Sequence, residues 1–134
     1  MNPIYKVEDL FTRSRNQPTG DAIIDQVLNT LHETPSLWGK DIADHLGVSR
    51  RDLSGAIKIL TGMGINDFVN EWHKLKAIEL LKGTRLDFAE IAHRCGYRRR
   101  KYLARVLDHE LGFTPFEYRN GYRRGTERPL RDRK

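Results

Sequence analysis

Cysteine is nearly missing from this chain: Cys95 is the single one among 134 residues. One thiol cannot close an internal disulfide, so the fold rests on buried apolar surface and a reducing compartment is the natural setting. No stretch approaches the ~20 consecutive apolar residues that span a bilayer. The segment Met1–Phe11 also lacks an apolar run of the signal-peptide kind. A soluble, cytoplasmic chain with no membrane partner is expected. No phosphate-cradling glycine loop, nucleophile elbow or dinucleotide fingerprint occurs. The five histidines, His32, His45, His73, His93 and His109, form no H-x-x-x-H pair and have no cysteine pair nearby. Neither an enzyme nor a metal or cofactor is implied.

Charge is present in quantity. The formal net charge is +6, and it is placed unevenly. Residues 1–93 hold 11 basic and 13 acidic residues, whereas residues 94–134 hold 13 basic and 5 acidic. A basic C-terminal segment suits a polyanion such as nucleic acid. A length of 134 residues fits one domain or two very small ones.

Apolar spacing indicates helices almost throughout. Residues 1–19, with scattered charges and little periodicity, read as a tail. Ile23, Ile24, Val27, Leu28 and Leu31 repeat at helical intervals until Thr34-Pro35 stops them. Further helices are expected over 38–46, 50–61 after the Ser49 cap, and 65–82. Asp87 and Glu90 make a capping box for a helix ending at Cys95. Another helix is expected over 99–111. A last one starts at Thr114-Pro115-Phe116-Glu117, reaches about Tyr122, and is followed by a basic tail over 123–134. The fold class is therefore all-α with about seven helices. Residues 20–64 and 83–122 form two subdomains, joined by a connecting helix over 65–82.

The two subdomains overlay. Leu37–Gly47 matches Leu86–Gly96, so that Ile42-Ala43 falls on Ile91-Ala92. After one extra residue in the second turn, Leu53 falls on Leu103, Gly62 on Gly112, and Asp67-Phe68 on Glu117-Tyr118. Each copy reads as a helix-turn-helix. Ala43 lets two helices approach closely, Gly47 supplies the positive φ of the turn, and Ile42, Leu46, Val48, Leu53 and Ile57 form the seam. In such a unit the second helix enters the major groove. Its outward residues are Arg50, Arg51, Ser54 and Gly55 in the first copy, and Arg99, Arg100, Lys101 and Arg105 in the second. Between Arg94 and Arg105 lie six basic residues, with Arg98 among them, and no acidic one. Arginine can hold guanine O6 and N7 with two parallel donors, and both cations can hold phosphate. The intervening helix of about 18 residues would span roughly 27 Å, against the ~34 Å repeat of successive major-groove segments. A monomer covering a non-palindromic site of about two turns is expected.

The stretches IADHLGVSRRDL, AIELLKGT and EIAHRCGYRRRKYLARVLDHELGFTPFEYR resemble the DNA-binding domain of the AraC/XylS family of bacterial transcription regulators, over about Asp21–Tyr122. The resemblance implies seven helices with two helix-turn-helix units, double-stranded DNA as partner, and transcriptional activation or, as in some members, repression; direct contact with RNA polymerase is left open. It carries base contact to Arg51, Ser54 and Gly55, and to Arg100, Lys101 and Arg105. Gly55 departs from the long polar or basic side chain usual there, Arg98 from a serine-like cap, and His73-Lys74 from an arginine–aliphatic pair. Most members carry a sensing or dimerisation domain, which 20 leading residues cannot form; the chain is then either a single-domain member controlled by its abundance or a fragment of a longer regulator, with the starting methionine and trailing tail favouring the first.

Two other readings compete. One is a non-specific architectural nucleic-acid binder; the other is a protein–protein adaptor that antagonises a related regulator. Cys95 is expected to be a buried small hydrophobe rather than a reactive thiol. Trp38, Trp72, Tyr97, Tyr102, Phe113 and Phe116 are expected in the core rather than as base-stacking platforms.

Overall fold

The computed structural model describes residues 4–13, 17–112, 114 and 117, and within these every regular element is a helix. Seven occur: α1 (Val7–Thr12), α2 (Ala22–Glu33), α3 (Gly39–Leu46), α4 (Arg50–Thr61), α5 (Ile65–Gly83), α6 (Phe88–Arg94) and α7 (Arg100–Leu111). They divide between two compact units, residues 1–75 and 76–134.

Local chemistry sets most helix boundaries. The Asp21 carboxylate accepts the Ile24 N–H at 3.0 Å to open α2, and the Ser49 hydroxyl accepts the Asp52 N–H at 3.0 Å to open α4. The Asp87 carboxylate accepts the Glu90 N–H at 2.8 Å to open α6. Each such cap is worth about 1 kcal/mol. The Asp41 carboxylate accepts the Trp38 N–H at 3.3 Å, half of a capping box for α3. Thr114 and Glu117 form the reciprocal bonds expected of a helix start, at 2.8 and 3.1 Å. The helix expected to continue to about Tyr122, the tail over 123–134, and Phe113 and Phe116 lie outside the described residues.

In the first unit, Ile24, Val27 and Leu31 of α2 meet Ile42 and Ala43 of α3, Leu53 and Ile57 of α4, and Phe68, Val69 and Trp72 of α5. In the second, Ile91, Ala92 and Cys95 close on Leu103 and Leu107 of α7 and on Ala77 and Leu81 of α5. Residues 65–82, expected as a connecting helix, thus contribute to both cores.

The expectation of a tail over 1–19 is corrected by α1. Val7 and Leu10 are buried in the first core, at 3% and 1% exposure. Phe11 packs edge-on to Trp72 with ring centroids 4.9 Å apart. The Tyr5 N–H donates to the Leu60 carbonyl at 2.8 Å, which satisfies one of the carbonyls left open at the end of α4. Six residues with two buried positions are too few for a periodic signal, and a helix this short is stable only through tertiary packing. The count of seven thus agrees with expectation, although α1 was not among the helices expected.

Replacing Leu10 with Ala should lower the unfolding free energy by about 2–4 kcal/mol. Ile4→Ala, at a side chain 67% exposed, should change it by less than ~0.5 kcal/mol. Urea denaturation of both variants tests this.

Candidate nucleic-acid interface

The turn between α3 and α4 is built on Gly47, which has φ +73°. A left-handed residue there folds the chain back, so that the Val48 N–H reaches the Ala43 carbonyl at 3.0 Å and the Gly47 N–H reaches Asp44 at 3.2 Å. The turn between α6 and α7 repeats this bond for bond. Gly96 has φ +82°, the Tyr97 N–H donates to Ala92 at 2.9 Å, and the Gly96 N–H donates to His93 at 3.2 Å. A side chain at either glycine would strain this backbone. Ala43 and Ala92 are both buried, as close helix approach requires. One seam assignment and one core assignment need correction. Val48 is 45% exposed, because the residue after the turn glycine points outward in the first copy, while its counterpart Tyr97 packs inward. Tyr102, expected in the core, is 44% exposed.

With Leu53 and Ile57 turned into the first core and Leu103 and Leu107 into the second, the opposite faces of α4 and α7 meet solvent. Arg50 and Arg51 are exposed, as are Arg98, Arg99, Arg100, Lys101 and Arg105. None of these seven makes an ion pair among the described residues. Arg94 does, holding Glu90 at 3.0 Å, so this member of the basic run is partly neutralised within its own helix. The Arg105 guanidinium lies 5.8 Å from the centre of the Tyr102 ring, within range of a cation–π attraction.

Ser54 also has a role within the fold. It is half-buried, and its Oγ accepts the Ile65 N–H at 3.0 Å, so it opens α5. The structure also brings in two residues that sequence reasoning missed. Lys58 and Asn66 join Arg50, Arg51, Ser54 and Gly55 around one open groove on the first unit. Lys58 lies seven positions after Arg51, two turns along the same face, and helical spacing alone could have found it. Asn66 belongs to another helix, and no local signal marks it.

The start of α7 is electrostatically unfavourable for an isolated helix. Its N-cap is Arg99, one residue later than the Arg98 expected there, and no side chain caps the helix. The first turn carries Arg100 and Lys101 and no acid. Cations at a helix N-terminus oppose the macrodipole by ~0.3–1 kcal/mol each, and the missing cap forgoes about 1 kcal/mol more. In α4, by contrast, Ser49 caps and Asp52 sits in the first turn. The segment 98–101 therefore carries a charge pattern that helps its own unit little and that a polyanion would relieve.

Two buried titratable groups lie beneath these surfaces. His73 is fully buried and edge-on to Trp38, with ring centroids 4.3 Å apart. Burial pushes its pKa down to about 4, against backbone hydrogen bonds to Leu37 and Pro35 that pull the other way. Cys95 is buried, and desolvation pushes its thiol up to about 11. This suits a packing role rather than a nucleophile. Among the described residues no helix is long and apolar enough to cross a membrane, and no group of three His, Cys, Asp or Glu side chains could hold a metal ion.

A family profile for a helix-turn-helix domain matches residues 42–123. The chain belongs to the AraC/XylS family of helix-turn-helix domains. It is 31% identical over 101 residues to a putative AraC-like transcription regulator of Streptomyces lividans, covering 74% of this chain and 33% of that protein. It is 30% identical over 80 residues to histidine kinase P4 of Formosa agariphila, covering 60% of this chain and 6% of that protein. The chain thus spans a third or less of the length of these two relatives. Among solved structures, the DNA-binding domain of the global transcriptional factor AdpA, in complex with a target DNA, superposes with a TM-score of 0.69. The two are 25% identical, and the match covers 82% of this chain and all of that one.

Two outcomes follow. Arg99→Ser should raise the unfolding free energy by about 1 kcal/mol by restoring a cap, measured by urea denaturation at low salt. His73 is neutral in the fold, whereas the unfolded chain takes up a proton below its ordinary pKa of 6.5. Its contribution should be complete above pH 6.5 and fall as pH drops toward 4, by about 3 kcal/mol in all. Denaturation across that window should lose up to one proton of pH dependence in His73→Leu relative to wild type.

Proposed function

We propose that this chain is a sequence-specific DNA-binding transcription regulator whose α4 and α7 enter successive major-groove segments of a promoter. Arg100, Lys101 and Arg105 contact base edges from α7, while Arg98 and Arg99 hold phosphates on the approach to it. Arg50, Arg51 and Ser54 form the corresponding surface of the first unit, and the chain binds as a monomer. The observation that carries this reading is the exposed cationic face of α7, free of ion-pair partners among the described residues, at the outward helix of a duplicated turn. The family supports it, as does the DNA bound to the AdpA domain.

A non-specific nucleic-acid binder would share the same charge. It would show the same fall of affinity with salt, without a preferred sequence.

Selection from a random duplex pool should yield a motif bound at least ~10³-fold more tightly than scrambled duplex, with log affinity falling linearly in log salt. Replacing Arg100 or Arg105 with Ala should relax preference at particular base pairs by ~1–3 kcal/mol. Equal binding of all duplexes, measured by fluorescence anisotropy, sinks the specific reading in favour of the non-specific one.

A further inference from the structure

The two outward helices align position for position once Leu53 is laid on Leu103, and the comparison is uneven. Arg51 stands where α7 has Lys101, Asp52 where it has Tyr102, Ser54 where it has Ala104, and Gly55 where it has Arg105. Three features of the first copy count against base reading. The Ser54 Oγ already accepts the Ile65 N–H at 3.0 Å. Gly55, in the middle of the exposed face, has no side chain to extend. The nearest cations, Arg50, Arg51 and Lys58, surround Gly55 along the open groove that Asn66 completes.

Gly55 is not there for the fold. Its φ is not positive, and a Cβ built on it would meet nothing within 4 Å. The contrast is Gly39, whose Cβ would fall 2.6 Å from the Asn66 side-chain oxygen. Glycine in a helix interior is less stable than alanine, so Gly55 persists at the expense of α4. A bare backbone on an exposed helical face is useful where another chain must approach it closely. A bare floor with cations beside it fits a phosphodiester strand, which is recognised by charge and shape alone.

We propose that the first unit clamps the sugar–phosphate backbone, with the strand lying against Gly55 between Arg51 and Lys58, and that base reading falls to α7. This rests on the duplex-binding reading above and, for α4, replaces groove entry by contact with the backbone. Asp52 could also contact a base, by accepting from cytosine N4, and the assignment excludes that role, as it excludes guanine reading by Arg51.

The test uses the full chain, a random duplex pool for selection, then the selected duplex and a scrambled one for affinity. Lys101→Ala should change the selected motif, whereas Arg51→Ala and Asp52→Ala should leave it as in wild type. Arg51→Ala should weaken the selected and scrambled duplexes by the same factor and reduce the salt slope by ~0.9. Gly55→Ala should melt at a higher temperature yet lose affinity equally for both duplexes. A motif altered by Arg51→Ala, Asp52→Ala or Gly55→Ala overturns the clamp while leaving the regulator reading intact, and so does wild-type affinity in Gly55→Ala. Failure of wild type to bind any duplex, or to select any motif, overturns the regulator reading and the clamp with it. Thermal melts of each variant separate lost binding from lost folding.

Discussion

A single backbone hydrogen bond across a left-handed glycine sets the geometry of each unit. When the Val48 N–H reaches back to Ala43, and the Tyr97 N–H to Ala92, the direction in which α4 or α7 leaves its partner helix is fixed. Everything outward of that bond follows from helical periodicity. Leu53 and Ile57, or Leu103 and Leu107, must turn inward to bury their apolar surface, so Arg51 or Lys101 must turn outward. The bond contributes only about 1 kcal/mol of net stability. Its importance lies in direction, because the alanines beneath it permit the close approach that makes the turn possible.

The two units satisfy this constraint with different electrostatics. α4 offsets Arg50 and Arg51 in its first turn with a serine cap and an aspartate. α7 has arginine at the cap and two further cations in its first turn. Uncapped, positively charged helix starts are disfavoured, and they persist in surfaces that are completed by something else. The glycine in α4 is a second local cost of the same kind. The two costs sit at different positions of an otherwise repeated design.

Most of the helices were legible from one dimension. Ser49, Asp87, Gly47 and Gly96 act through bonds to residues at most five positions away, so their effects are written in adjacent letters. The internal repeat made the turns doubly legible, since Ala43-x-x-x-Gly47 and Ala92-x-x-x-Gly96 state the same geometry twice. The exposed arginines and Lys101 followed from the same reasoning. The misreadings share a cause in long-range packing. Val7 and Leu10 find their partners far along the chain. Tyr102, an aromatic ring whose burial composition favours, lies on the solvent side because Leu103 takes the inward place.

The amino-acid order alone determined the helical class, the duplicated turn, the family, and the basic outward face of the second copy, because each depends on spacing within a few residues. Only tertiary structure decided that Tyr5, Val7, Leu10 and Phe11 belong to the first core and that α5 is divided between two cores. It alone assigned Ser54 to the start of α5 and brought Asn66 beside Gly55. Those are contacts between residues distant in sequence, whose free energy comes from burying surface or sharing a hydrogen bond across the fold. Neither leaves a mark in local periodicity.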